Sequence, residues 1–166
     1  MTFRLLGLDL STSVGHALLE RGKPPVFGTL RLPYAPEGEP ARRFAALQAW
    51  LEDYFTFPGF DAIAWERPIL PRKSGDLAST QDTLELLWGL AAIPWTFAGR
   101  HNLPHKHVNV KDVKITLTGR QDASKDEMVA AAMKVMHWKV ANDHEADAGA
   151  VGVYAMNILN PRRATP

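Results

Sequence analysis

Apolar residues fall in short blocks over the first third of the chain and recur at helical spacing in most of the rest. Phe3 to Leu10 (FRLLGLDL) is a brief apolar run closed by Ser11-Thr12-Ser13, the pattern of a buried strand ending in a turn. Val14 to Glu20 predicts its hairpin partner. Val26 to Leu32, bracketed by Pro24-Pro25 and Pro33, predicts a third strand. After a loop at 34–40, Phe44, Leu47, Leu51 and Tyr54 repeat at helical period over Ala41 to Tyr54, and Pro58-Gly59 stops that helix. Asp61 to Glu66 predicts a short strand. Leu84, Leu87, Trp88 and Ala91 predict a helix over Leu77 to Phe97, with Pro94 ending or kinking it. His105 to Val110 alternates like a strand, and Val110 to Leu117 predicts a short helix before Thr118-Gly119. Ser124 and Glu127 have the spacing of a capping box and open a helix to about Trp138. A last helix runs from about Asn142 to Leu159 and stops at Pro161.

That order predicts an α/β fold with a mixed five-stranded sheet and helices on both faces. The opening meander supplies antiparallel pairs and the later crossovers parallel ones. A chain of 166 residues suits one domain, here 1–160, followed by a frayed tail at 161–166. It is long enough to bury a core without covalent staples.

Composition removes some chemistry. With no cysteine, disulfides, thiolate zinc sites and cysteine nucleophiles are excluded. No apolar run is long enough to span a bilayer and no secretory-type start is present, so the cytoplasm is the expected location and no membrane partner is expected. A net charge of +1 does not announce a nucleic-acid binder. The distribution says more. Residues 100–125 hold six cations (Arg100, Lys106, Lys111, Lys114, Arg120, Lys125) against Asp112 and Asp122, with His101, His105 and His107 among them. A basic face turned to phosphates and an ordinary solvated surface both fit this run.

Acidic residues give the most informative pattern. Asp9 ends the first strand between Leu8 and Leu10. Glu66 ends the fourth after Ile63-Ala64-Trp65. Asp143, His144 and Asp147 open the last helix, spaced to share one face. Each has an ordinary structural reading: Asp9 as a turn cap, Glu66 as a surface ion pair with Arg67 or Arg72, and the helix-start acids as partners of the helix dipole. Gathered together, they would need positive charge between them. A divalent metal supplies it, and phosphodiester hydrolysis with two ions needs such a set. Oxygen ligands suit Mg²⁺, and the imidazole of His144 moves the preference towards Mn²⁺. His144 is equally placed to move a proton from the attacking water. The loop RPILPRKSGD, directly after Glu66, adds Arg67, Arg72 and Lys73 as a phosphate track.

At these residues the chain resembles the RuvC Holliday junction resolvases of the RNase H-like, or retroviral integrase, superfamily. GLDLSTSVGHALL is similar to the family's first strand with its catalytic Asp, here Asp9. AIAWE carries the second acid, Glu66. VKITLTGRQDASKDEMV is similar to its valine-lysine, threonine-glycine, alanine-x-lysine stretch. DHEADAGAVGVYAM resembles its closing acidic helix, with His144 and Asp147 as the last two ligands. The resemblance implies a homodimeric endodeoxyribonuclease that binds a four-way or otherwise branched DNA. Each subunit would nick one strand and leave 5′-phosphate and 3′-hydroxyl ends. Such an enzyme belongs to DNA recombination and repair, alongside branch-migration or packaging machinery. Lys114 and Lys125 would lie near the scissile backbone, and Lys111, Arg120, Arg67, Arg72 and Lys73 along the DNA. Ile69 and Leu70 stand where the family often has an aromatic wedge. Leu-Ser-Thr-Ser after Asp9 replaces the usual Pro-Gly and looks like the divergent phage-encoded branch. Asp143 is an extra acid, a possible further metal ligand, which the motif does not assign.

Two other readings remain open at this level. The opening hairpin also resembles the phosphate-binding hairpin of actin-like sugar kinases and ATPases, although the second glycine-rich loop and the two-lobed length are missing. A non-catalytic DNA-binding assembly module with the same fold is the other. Trp50, Trp65, Trp88, Trp95 and Trp138 fall mostly in periodic apolar segments and are expected in the core rather than as base-stacking platforms. Leu84, Leu87 and Trp88 form a candidate face for a second subunit.

Overall fold

Alternation within the strands sorts the core into two layers, one on each side of a single sheet. The structure, a computed structural model, describes residues 2–36, 39–68, 81–134 and 136–160. Five strands form: β1 (Arg4–Asp9), β2 (Ser13–Glu20), β3 (Val26–Arg31), β4 (Ala62–Glu66) and β5 (His105–Val108). Their order across the sheet is β3-β2-β1-β4-β5. β2 lies antiparallel to both β1 and β3, while β4 runs parallel to both β1 and β5. This is the mixed sheet that the element order predicts. Leu6, Leu8, Leu10, Ile63 and Trp65 turn to one face. There they meet α1 (Ala41–Thr56) and α2 (Gln81–Arg100). Leu5, Ala17, Leu19, Ala62 and Ala64 turn to the other. They meet α3 (Val110–Thr118), α4 (Lys125–Lys134) and α5 (Asp143–Leu159).

The second layer positions the candidate site, and α5 dominates it. Ala146, Ala148, Ala150, Val151 and Ala155 are fully buried, so this helix is packed through small side chains. The sheet beneath it is equally spare. A β-carbon on Gly7 of β1 would overlap the Ala148 carbonyl oxygen and lie 2.9 Å from the Gly152 amide nitrogen. One on Gly15 of β2 would overlap the His144 carbonyl and lie 2.8 Å from the His144 β-carbon. Only hydrogen fits at either position, and the helix backbone therefore rests almost directly on the strands.

Helix ends differ from the sequence expectation in instructive places. The capping box forms: the Glu127 amide donates to Ser124 Oγ at 3.2 Å, and the Ser124 amide donates to Glu127 Oε2 at 2.7 Å. The helix it opens ends at Lys134, short of Trp138. His137 takes a left-handed backbone (φ 54°) and turns the chain inward. The Trp138 ring then packs beside Phe27, 5.3 Å between ring centres, under α5. Helix α2 does not end at Pro94. It continues to Arg100, with Ile93, Pro94, Phe97 and Ala98 buried against the sheet. Tertiary packing outweighs the missing amide there. Residues 77–80, expected to begin that helix, lie outside the described residues. Strand β5 stops at Val108 because Asn109, in extended conformation, becomes the N-cap of α3. Among the described residues no helix is long and apolar enough to cross a membrane.

Replacing Gly7 with Ala forces α5 off the sheet. Chemical denaturation of Gly7→Ala is expected to show a loss of about 1–3 kcal/mol, the usual cost of overpacking a tight contact. Unchanged stability would mean that this approach is not under constraint.

Candidate active site

Parity along the strands decides which acids can meet. Asp9 lies two residues beyond Gly7, and Glu66 two beyond Ala64, so both point to the α5 side of the sheet. Leu8 pairs with Trp65 in the parallel ladder, which brings Asp9 and Glu66 to the same end of adjacent strands. Asp9 itself pairs with Gly15, the residue that lets the first turn of α5 settle onto β2. That turn delivers His144, whose Nδ1 donates to Asp9 Oδ2 at 2.6 Å. Asp147 follows one turn later.

The start of α5 is fastened by residues that carry no part of the predicted site. Asn142 is the N-cap, its Oδ1 accepting from the Glu145 amide at 3.0 Å. Glu145 is 7% exposed and reaches back to accept from the Ala141 amide at 2.7 Å. Thr29 of β3 ties the two together. Its hydroxyl accepts from Asn142 Nδ2 at 3.0 Å and donates to Glu145 Oε1 at 3.2 Å. The sequence offers Asp143 and Asp147 as partners of the helix dipole, an alternative to ligation. The Asn-x-x-Glu spacing of Asn142 and Glu145 was the signal that frees both for other work.

Electrostatics of the pocket are those of crowded acids. Burial, with the nearby Asp9 and Asp147 charges, pushes Glu66 from 4.5 up to about 8, and Lys114 opposes the shift. Burial, with Asp9 and Asp143, pushes Asp147 from 3.8 up to about 7, opposed by Lys125 and His144. The hydrogen bond to Asp9 raises His144 above its ordinary range. Asp9 and Asp147 therefore act on Glu66, and Asp9 on Asp147, across a shared space. Among the described residues, no three His, Asp or Glu side chains form a ready-made metal cage. Asp9 is engaged with His144, and ligation would exchange that bond for bonds to an ion. The donor chemistry fits a hard divalent cation: carboxylates that repel one another unless protonated, with one imidazole among them.

Other predicted residues divide. Lys125 pairs with Asp143, Nζ to Oδ2 at 2.7 Å, and this bond holds Asp143 below the usual carboxylate range. Asp143 thus has a partner other than a metal. The Lys125 ammonium also feels Asp147 and Asp9, so it stands at the rim of the acids. Lys114, half-buried on α3, sits near Glu66. Arg120 is turned to Asp122 and Glu127 at 3.0–3.2 Å, so its charge is spent locally. Lys111 is exposed. Arg67 is exposed at the end of β4, its amide held by the Val108 carbonyl at 2.8 Å. Ile69, Leu70, Arg72 and Lys73 lie outside the described residues. Ser11 spends its hydroxyl within its own turn, donating to the Ser13 carbonyl at 2.9 Å and accepting from the Ser13 amide at 3.1 Å.

In a chelator, Glu66 and Asp147 hold protons more tightly folded than unfolded. Their joint contribution is therefore fullest below about pH 4 and is lost as pH rises towards about 8. Thermal melts should show the Glu66→Gln variant gaining on the unsubstituted protein as pH climbs from 5 to about 8. Mg²⁺ or Mn²⁺ should raise the melting temperature more at pH 8 than at pH 5. A metal-independent melt at pH 8 would contradict the site.

No family model matches the sequence, and no curated protein matches it. Solved structures do. The chain is similar to RuvC of Thermus thermophilus in complex with a Holliday junction substrate, with a TM-score of 0.71 and 17% identity over 92% of each chain. A further structure of Thermus thermophilus RuvC gives a TM-score of 0.66 and 19% identity over 92% of each chain. The yeast mitochondrial Holliday junction resolvase Ydc2 gives 0.62 and 14% identity, over 93% of this chain and 78% of that one. The fold is that of the RuvC-like resolvases, an RNase H-like α/β fold with a mixed five-stranded sheet.

Proposed function

We propose that this chain is a divalent-metal-dependent, structure-selective endodeoxyribonuclease that resolves Holliday junctions or other branched DNA. The observation that carries the reading is the convergence of Asp9, Glu66, His144 and Asp147 from two strand ends and one helix turn, within a RuvC-like fold. Of the structures that share that fold, Thermus thermophilus RuvC is in complex with a Holliday junction substrate and Ydc2 is a Holliday junction resolvase.

Asp9, Glu66, His144 and Asp147 would hold two Mg²⁺ or Mn²⁺ ions, which when bound activate water and stabilise the leaving oxygen. The remaining work falls to the protein. Raised carboxyl pKa values keep the acids from repelling one another before substrate arrives. Lys125, steered by Asp143, and Lys114 stand as point charges beside the developing charge of the scissile phosphate. The alternative role for His144 is to take a proton from the attacking water, with Asp9 orienting its ring in place of a metal. Hydrolysis adds water across the P–O3′ bond and leaves 5′-phosphate and 3′-hydroxyl ends. Paired nicks need two subunits. The α2 face bearing Leu84, Leu87 and Trp88 is the proposed contact of a homodimer. Lys111, Arg67 and the loop residues Ile69, Leu70, Arg72 and Lys73 would line the DNA path, and Arg120 would join them only by leaving its acids. The setting is the cytoplasm of a bacterial or phage-infected cell.

Nicking is measured on four-way, three-way, flap and linear duplexes with Mg²⁺ and with Mn²⁺. Branched substrates should be cut and linear duplex spared. Asp9→Asn should lower the rate by at least about a hundredfold, above the 10–100-fold typical of groups that only support ligands. Junction binding should persist, since charge is lost and shape is not. His144→Asp should keep activity and prefer Mg²⁺. Full activity of Asp9→Asn would exclude the metal role, and loss of His144→Asp activity with both ions would make His144 a proton-transfer group.

A further inference from the structure

Asp143, the acid that the family pattern leaves without a role, holds a cation at the rim of the candidate site. That cation is Lys125, the first residue of α4, whose backbone the Ser124–Glu127 capping box fixes. Its side chain is 76% exposed, so packing does not keep the ammonium in place. Among the described residues its one bond is to Asp143 Oδ2, at 2.7 Å. Asp143 is free to make that bond because Asn142 and Glu145 cap the helix.

The position of Asp143 gives the bond its consequence. Asp143 and Asp147 are i and i+4 on α5, and side chains so spaced lie about 5–6 Å apart at their β-carbons on one face of a helix. An ammonium seated on Asp143 is therefore one side-chain swing from Asp147, and the flexible four-carbon stem of a lysine permits the swing. The Lys125 charge acts on Asp147 and on Asp9 from where it stands. Seated on Asp147 itself, it would occupy a carboxylate that the cation site needs. It would also set a positive charge where a divalent ion must enter, and like charges at such range repel.

We propose that Asp143 is a positioning residue that keeps the Lys125 ammonium out of the cation site and holds it at the rim, within reach of a DNA phosphate. The inference rests on the nuclease reading of the site and deepens it. Asp143 ligates no ion; it governs how readily an ion enters. With Lys125 tethered, the acids receive a divalent cation without first expelling a lysine. The ammonium changes acceptor only when a phosphate offers it a second charged partner.

Binding of Mn²⁺ in the absence of DNA, at one pH and one ionic strength, tests this apart from catalysis. The unbound ion is read from its electron paramagnetic resonance signal. Asp143→Asn should raise the Mn²⁺ concentration for half-occupancy by about tenfold, the range of groups that support ligands from outside. Lys125→Met removes the charge, keeps the stem and should lower it. The decisive comparison is Asp143→Asn made on the Lys125→Met background. With no lysine to release, it should cost at least about threefold less affinity than in the unsubstituted protein, a coupling of the size found between groups in contact. Asp143→Glu keeps the carboxylate and should bind as the unsubstituted protein does. A folding defect cannot give this pattern, since Lys125→Met would not repair it. Equal cost in the two backgrounds overturns the proposal and makes Asp143 a ligand or a plain surface charge. So does an affinity that Asp143→Asn leaves unchanged. If neither the unsubstituted protein nor any variant binds Mn²⁺, the active-site reading and the proposal fall together. Coupling in a chain that nicks no branched DNA sustains the tether and sinks the nuclease reading.

Discussion

Contact between the backbone of α5 and the bare faces of β1 and β2 is the constraint on which everything else rests. Gly7 and Gly15 leave no side chain between strand and helix, and the alanines of α5 leave almost none from the other side. Because the helix lies so close, its first turn reaches the end of β1, and His144 meets Asp9 within a hydrogen bond. A helix held at the usual side-chain spacing would leave His144 and Asp147 too far from the strand-end acids to share a ligand with them. The fold's tightest packing and the candidate chemistry are therefore one feature, and the Asn142–Thr29–Glu145 network locks it from the outer strand.

Charge tells the same story from another side. Glu66 and Asp147 are raised towards neutrality by burial and by their acidic neighbours. A structural role seldom keeps such groups, since an apolar core would be cheaper than acids that cannot ionise. Perturbed carboxyls that share one acidic neighbour, Asp9, mark a candidate cation site. Lysines complete the arrangement at its rim: Lys114 beside Glu66, and Lys125 anchored by Asp143 near Asp9 and Asp147.

Much of this was legible in the sequence, because strands and helices obey fixed periods. Leu5-Gly7-Asp9 and Ala62-Ala64-Glu66 are readable as single faces, and the i, i+3 spacing of His144 and Asp147 as one side of a helix. The element order alone carried the mixed sheet. What escaped was set by contacts between distant segments. In sequence Asp143 is an extra acid; in the fold Lys125, eighteen residues away in the chain, lies beside it. Arg120, expected along the DNA, pairs with Asp122 and Glu127. Trp88 and Trp95 obey an apolar helical period that predicts the core, yet they are 38% and 46% exposed, at the sheet's edge and not its centre. Periodicity tells which side of a helix is apolar; it does not tell what meets that side.

Anomalous diffraction from a crystal soaked in Mn²⁺ tests the central claim most directly. The account predicts manganese peaks between the carboxylates of Asp9, Glu66 and Asp147, with His144 turned from Asp9 to a metal. Ordered carboxylates with no manganese among them, and His144 still bonded to Asp9, would contradict it.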